Sequence, residues 1–493
     1  MVIVIDLGTS HIKGAVVDSD LHVKYASSQA VDMQAPDELS RTVSPNQVFS
    51  AVVTILKDLL AQYPAVKRVI FSAQMHSILV ANQSKEVVLA AMTWADNQAI
   101  TVADLIKNGH YQEDLLQRTG TPVHPMSPLV KLIYLQAAHP FLLGDEANKI
   151  MGLKSFVIWR LTDQLVIDVG QASTTGLLRT AKGSWDRDIL AVLGISLEKM
   201  PQIVGALDKF KIDPVAAQNL GLPTDIEFQL GSSDGALASY ALKNNSRRQP
   251  VLVSVGTSGA ARYLTSEGLK GGNLNLFSYL VGSPSNDYII GGPVNNAGNV
   301  LVWAIDKLAD CHDFSACWKQ VLSQPLREEG PFFLPYLNGE RAPYWNAHLT
   351  ASFSGLRLNH SKTDMLRAIF EGVFYNLRMV IEQIYCLLDD EAPLIVNSQL
   401  ARHDIFAQEI ANLFGRTIYL DHSNRDASIL GAAKLAMEKP DDKFDIGKLK
   451  VFHPQTSSQA AYQAKYYAFK KLADQADQAA RLEFDEQEGR FEL

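Results

Sequence analysis

VIVIDLGTSHIKG, residues 2–14, sets a bare apolar run against Gly8, Thr9 and Ser10, with Asp6 and Lys13 on either side of the triplet. Val2 to Ile5 has the length and β-branched content of a buried strand. The triplet breaks it, and Ile12 to Val17 resumes it before the turn-forming Asp18-Ser19-Asp20. Leu21 to Ser27 reads as a third strand, which predicts an antiparallel meander. A later stretch repeats the plan: a strand at Val251 to Val255, Gly-Thr-Ser at Gly256 to Ser258, a strand at Ala260 to Leu264 and, after an insertion, Tyr288 to Ile290. Two domains with the same opening imply a duplication.

The 493 residues exceed what one hydrophobic core organises, and two domains of about 200 to 250 residues are the natural division. The polar KNNSRRQP, Lys243 to Pro250, precedes the second opening, so the boundary is placed there, giving domains 1–245 and 246–493. Helical and strand patterns alternate after the meander, as in Pro45 to Tyr63 followed by Val69 to Ser72, which predicts an α/β fold. Near the end, Tyr462, Tyr466, Phe469 and Leu472 recur at helical spacing, as expected of an amphipathic helix packed on the second domain. An apolar fraction of 47% and a charged fraction of 20% are those of an ordinary globular chain. Asp6 interrupts the first apolar run, so no leader or membrane segment is expected, and a cytoplasmic location is. The net charge of −8 argues for a small-molecule partner over nucleic acid or a membrane. Cys311, Cys317 and Cys386 lack any metal-ligand spacing and are expected as buried free thiols.

A Gly-Thr-Ser turn offers unhindered backbone N–H groups and two hydroxyls, the donors that a phosphate chain needs. Lys13 adds a cation, and Asp6 is suited to a hydrated magnesium ion beside the phosphates. One copy alone is ordinary hairpin chemistry. Two copies at equivalent places shift the reading towards two domains holding a triphosphate, and no GxxxxGK[ST] is present to supply a P-loop instead. In QLGSSDGALASYAL, Glu227 to Leu230 reads as a strand end and Gly235 to Leu242 as a helix, so Asp234 falls on the turn between them. Locally it is a helix cap; beside a bound triphosphate it is a general base for an attacking hydroxyl.

These stretches resemble the FGGY family of carbohydrate kinases from Val2 to about Met437. IDLGTSHIK is similar to the family's first phosphate loop, SSDG to its catalytic segment and VGTSG to its second phosphate loop. ASFSGLRLNHSKTDMLRAIFEG, Ala351 to Gly372, resembles the C-terminal signature, and MSPLVKLIYL, Met126 to Leu135, the N-terminal one with Tyr134 where Trp is usual. The resemblance implies two actin-like, ribonuclease H-like domains with a cleft between them, closing over sugar and ATP. Asp234 would be the catalytic base, Asp6 the metal ligand, and Gly8, Thr9, Ser10, Lys13, Gly256, Thr257 and Ser258 ATP contacts.

Within the family, AQMHS (Ala73 to Ser77), TWADN (Thr93 to Asn97), TGTPVHPMSPL (Thr119 to Leu129) and GGPVNNAGNVL (Gly291 to Leu301) look most like the members acting on gluconate. This implies transfer of the ATP γ-phosphoryl group to O6 of D-gluconate, with Mg2+. Xylulose or another polyol is the alternative acceptor, and a non-catalytic sugar-acid-binding protein is the alternative class. Met75, His76, Trp94 and Asp96 match polyol-contacting positions. A substrate carboxylate demands a donor or cation, for which His124, Lys131 and Asn296 are the candidates. Arg341 in NGERAPYWN is expected in a structural ion pair. At the nucleotide end IVNSQLARHD carries Ser398-Gln399 where the family has Gly-Gly, with Gln399, Leu400 and Ala401 as expected contacts. Gln98 stands where Arg is usual. A homodimer is compatible with the resemblance.

Overall fold

The computed structural model of the chain describes all residues except 245–248, 270–274, 284–285, 310, 312, 389–391, 399, 401–402, 422–425, 440–444 and 489–493. It divides into two compact units. The first gathers Met1–Asn245, Leu264–Ile290 and Asp426–Lys443, and so includes two stretches that lie beyond residue 245; the second gathers Ser246–Tyr263, Gly291–Arg425 and Phe444–Leu493.

In the first unit, strands Lys209–Lys211, Glu227–Ser233, Arg68–Ala73, Val2–Leu7, His11–Val17 and Val23–Ala30 form one sheet in that order. Val2–Leu7 pairs antiparallel with His11–Val17 and parallel with Arg68–Ala73, which runs parallel to Glu227–Ser233. Apart from Asp6 near its end, the first strand is apolar, because both of its faces are covered. Ile3, Ile5 and Leu7 join the core under helix Pro45–Gln62, with Val52, Ile55 and Leu59, whereas Val2 and Val4 join Leu237, Ile429 and Ala433 from two helices on the other side. Helix Pro45–Gln62 begins where Ser44 accepts a hydrogen bond from Gln47 N and Pro45 occupies the first turn. The third strand starts later than expected, at Val23. Asp18 Oδ1 accepts from both Asp20 N and His22 N at 2.9 Å, and Leu21 sits at φ 61°, so the turn holds two further residues.

The second unit repeats the scheme. Val251–Val255 pairs antiparallel with Gly259–Thr265 and parallel with Leu394–Ser398, which continues parallel to Ile418–Leu420. Helix Lys362–Tyr385, started by a Ser361/Asp364 capping box, is buried along most of its length. The C-terminal helix spans Gln459–Glu488 and buries Tyr462, Tyr466 and Phe469 within this unit, as the spacing predicts. Its Lys465 meets Glu371 at 2.5 Å, while Arg367 bridges Glu371 at 3.0 Å and Glu409 at 2.6 Å.

The cysteines differ from expectation. Cys311 and Cys317 form a disulfide, and the remaining thiol, Cys386, is exposed rather than buried. Among the described residues no helix is long and apolar enough to cross a membrane.

Candidate active site

Strand register assembles the first unit's site. Asp6 lies opposite Ser72, and Ser72 opposite Ser232, across three adjacent parallel strands. The carboxyl ends of those strands therefore deliver Gly8, Gln74 to His76 and Asp234 to one edge of the sheet, the usual place for a ligand in such folds. A bulge in the third strand aims its end. The register shifts between Gln229 and Ser232, and Gly231 takes φ 61° where a Cβ would meet Phe71 O at 1.8 Å. Only glycine fits there. Asp234 then opens helix Asp234–Ala241, one residue after the N-cap Ser233, and its Oδ1 accepts from Gly235 N at 2.7 Å.

Asp6 is half-buried, and desolvation of its carboxyl pushes it above the usual carboxylate range. Oδ2 accepts from Ser428 Oγ at 3.2 Å. Ser72 stands near enough to favour the charged form without meeting hydrogen-bond geometry, and Oδ1 is buried and accepts no hydrogen bond. A desolvated carboxylate with an unfilled oxygen fits a divalent cation, which would restore its charge. Lys13 is an ion-pair partner of Asp426 at 3.0 Å.

The first Gly-Thr-Ser turn is tied to the segments expected to meet the sugar. Thr9 Oγ1 donates to Gln74 Oε1 at 3.1 Å and accepts from Trp94 Nε1 at 2.9 Å. Gln171 Nε2 donates to Ala73 O at 3.0 Å and Gln74 O at 3.2 Å, fixing the same strand end. His76, at φ 67°, places Nδ1 2.8 Å from Thr174 O; a carbonyl only accepts, so the ring proton is on Nδ1. His124 is the opposite tautomer, since its Nδ1 accepts from Met126 N at 3.2 Å and its proton is on Nε2. Met75 packs partly buried against the core, beside the helix carrying Ala236 and Leu237.

Three of the residues expected to meet the sugar hydrogen-bond within the protein. Asp96 is fully buried and accepts from Arg41 N at 2.7 Å, Gln98 Nε2 at 2.9 Å and Gln98 N at 3.2 Å. Gln98 thus provides with a neutral amide the link to Asp96 that an arginine would provide with charge. Lys131, also fully buried, donates to His76 O at 3.1 Å and Thr93 O at 2.5 Å, joining the two sugar segments by their main chains. Asn296, in the second unit, is fully buried and donates to Gly339 O at 2.7 Å and Glu340 Oε2 at 3.1 Å. Each of these side chains holds a loop.

The second unit's Gly-Thr-Ser turn is exposed and closed by Gly256 N donating to Ser258 O at 3.0 Å. Ser254 stands where the first copy has Asp6, so the two turns share backbone form and only the first has a carboxylate. In the segment expected to meet the nucleotide, Ser398 is buried and its hydroxyl turns back to accept from Leu400 N at 3.2 Å. Gln399 and Ala401 lie outside the described residues.

A family model described as the N-terminal domain of the FGGY family of carbohydrate kinases matches residues 1–240, and its C-terminal counterpart matches residues 251–438. This chain belongs to that family. It is an ATP-dependent sugar kinase of mixed α/β architecture with two actin-like domains. The gluconokinase of Bacillus licheniformis is 31% identical over 461 residues, which cover 90% of this kinase and 88% of the relative. The crystal structure of a gluconate kinase from Lactobacillus acidophilus matches with a TM-score of 0.87 at 28% identity, covering 97% of this chain and 98% of that one. A ligand-bound xylulose kinase from the same organism also gives 0.87 at 28%, covering 96% and 98%.

Two groups escaped the sequence reading of this FGGY kinase. Lys154, nearly buried, pairs with fully buried Asp168 at 2.6 Å and donates to Leu230 O at 2.9 Å and Ser232 O at 3.2 Å, clamping the bulge that leads into Asp234. Burial pushes its amine down, against the attraction first of Asp168 and last of Asp234. Glu340 is the other, taken up below. Both find their partners through distant segments.

Lys131 supplies a pH test. Burial pushes its amine down from 10.5 to about 7, against the attraction of Asp96. Between those values the unfolded chain binds the proton and the folded one releases it, so stability rises with pH there; below pH 7 the cost of the buried charge is fully present. Comparing urea midpoints at pH 6.5 and 9, the wild type should gain about 2 to 3 kcal/mol relative to Lys131→Met. A difference that stays flat with pH would contradict this.

Proposed function

We propose that this kinase transfers the γ-phosphoryl group of ATP to O6 of D-gluconate, giving 6-phosphogluconate and ADP. The observation that carries the phosphoryl-transfer chemistry is the arrival of Asp6, the Gln74 to His76 segment and Asp234 at the carboxyl ends of three adjacent parallel strands. The similarity to a gluconokinase along most of the chain supports the choice of acceptor.

Asp234 takes the proton of the O6 hydroxyl as O6 attacks the γ-phosphorus and the bond to the β–γ bridging oxygen breaks. Gly8, Thr9, Ser10 and Lys13 in one unit, and Gly256, Thr257, Ser258 and Leu400 in the other, meet the nucleotide. Asp6 would hold magnesium, which would neutralise phosphate charge. Met75, His76 and Trp94 orient the sugar hydroxyls, and the Nε2–H of His124 meets the carboxylate. Lys131, Asp96 and Asn296 hold the loops that carry these contacts. A cytoplasmic location and a homodimer complete the proposal.

The product tests it. Incubation with ATP, magnesium and gluconate should give a phosphomonoester whose 31P signal is split by two protons, as a phosphate on the primary C6 carbon requires. Splitting by one proton would place the phosphate on a secondary carbon and refute the O6 assignment.

A further inference from the structure

Behind the second Gly-Thr-Ser turn lies a second layer of main chain. Gly298 N donates to Gly256 O and Asn299 N to Thr257 O, each at 3.0 Å. The approach is close enough that a Cβ on Gly298 would stand 2.4 Å from Gly256 O. The position of the turn is therefore set by residues 295–299. Asn299 secures them from within, its Nδ2 donating to Asn295 O at 3.1 Å and its Oδ1 accepting from Ala297 N at 2.8 Å.

One carboxylate anchors this layer. Glu340 is fully buried. Its Oε1 accepts from Asn295 N at 2.6 Å and Arg341 N at 2.8 Å, and its Oε2 from Asn296 Nδ2 at 3.1 Å and Asn376 Nδ2 at 2.8 Å. All four partners are donors, which suits an ionised carboxylate and no other state of the side chain. Asn295 Nδ2 to Asn338 O at 3.0 Å and Ala342 N to Pro293 O at 2.9 Å run the 338–342 segment beside the 293–296 segment, so Glu340 sits at the junction of two strands of loop and helix Lys362–Tyr385.

We propose that Glu340 is a positioning residue for ATP, acting through residues 295–299 to fix the Gly256–Ser258 turn against the phosphates. This rests on reading that turn as a phosphate site.

A pH signature follows. Burial pushes the Glu340 carboxyl up to about 7, opposed by Asn295 N, Asn296, Arg341 N and the Arg341 charge. The other ionisable groups facing it are Tyr336, whose hydroxyl donates to Asn376 Oδ1 at 3.3 Å, and beyond it Tyr344 with Asp474 and Asp477 of the C-terminal helix. Both tyrosines are raised by burial and stay neutral. As pH falls through about 7, Glu340 gains a proton that its four donors cannot accept, and the 295–299 layer loosens.

Glu340→Gln keeps the size and replaces one acceptor oxygen with a donor. Steady-state kinetics should show KM for ATP raised by about tenfold, with KM for the sugar within about twofold of wild type. The wild-type fall in kcat/KM for ATP below pH 7 should lose one step in the variant. Asn299→Ala, which leaves Glu340 intact, should give the same split in KM, and urea unfolding shows whether each variant is folded. Gly256→Val, crowding the exposed side of the turn, should raise KM for ATP on its own. If Gly256→Val does so while folded Glu340→Gln and Asn299→Ala do not, or raise both KM values equally, the positioning role is refuted. If Gly256→Val leaves KM for ATP unchanged, the phosphate reading of the turn fails and the inference falls with it.

Discussion

Asp234→Asn is expected to lower kcat by about 10²- to 10⁴-fold while leaving gluconate affinity within about twofold. The expectation comes from where the residue sits. The Gly231 bulge and the Lys154 clamp deliver it to the strand-to-helix corner, and asparagine can still accept the Gly235 N–H that Asp234 Oδ1 takes at 2.7 Å. Shape and local hydrogen bonding survive the change; basicity does not. Steady-state kcat together with calorimetric binding of gluconate separates the two effects. A fall of less than about fivefold would remove Asp234 as the base.

Lys154→Met should cost about 3 to 5 kcal/mol of stability in the first unit. Asp168 is fully buried and meets Lys154 Nζ at 2.6 Å, so the substitution strands a charge away from water and frees Leu230 O and Ser232 O as well. Lys154→Met with Asp168→Leu should recover most of the loss, because both halves of the charge are then gone. Urea titrations of the single and double variants at pH 7 check both statements, and a single variant within about 1 kcal/mol of wild type would contradict the clamp. The single variant should also lose kcat, since the strand end carrying Asp234 is what the clamp holds.

Legibility in the sequence followed locality. The duplicated strand, Gly-Thr-Ser, strand pattern could be read because each part is contiguous, and the same pairing scheme occurs in both units. Asp234 could be placed at its corner because a strand, a glycine and a helix flank it within a few residues. The hydrogen bonds made by Lys131, Asp96 and Asn296 could not be read. Motif position marked them for the sugar, and their partners include Thr93 O, Arg41 N and Gly339 O, main-chain groups brought in by other segments. No local pattern marks a side chain that hydrogen-bonds to a distant backbone. Glu340 was hidden in the same way: its four donors come from residues 295, 296, 341 and 376. In NGERAPYWN the adjacent Arg341 offers Glu340 an obvious charge partner, which hides its four neutral donors. The late third strand had a local cause, the Asp18 side chain gathering two backbone N–H groups, but its extent depended on Leu21 adopting a left-handed backbone.

The acceptor is the heart of the account, and one measurement addresses it directly: ADP release from ATP, with magnesium, in the presence of gluconate, xylulose, ribulose or glycerol. A site that uses the carboxylate should prefer gluconate over xylulose by at least about tenfold in kcat/KM, because the carboxylate-binding donors stay unpaired with an uncharged sugar. A preference for xylulose, or ADP release that no acceptor stimulates, would contradict it.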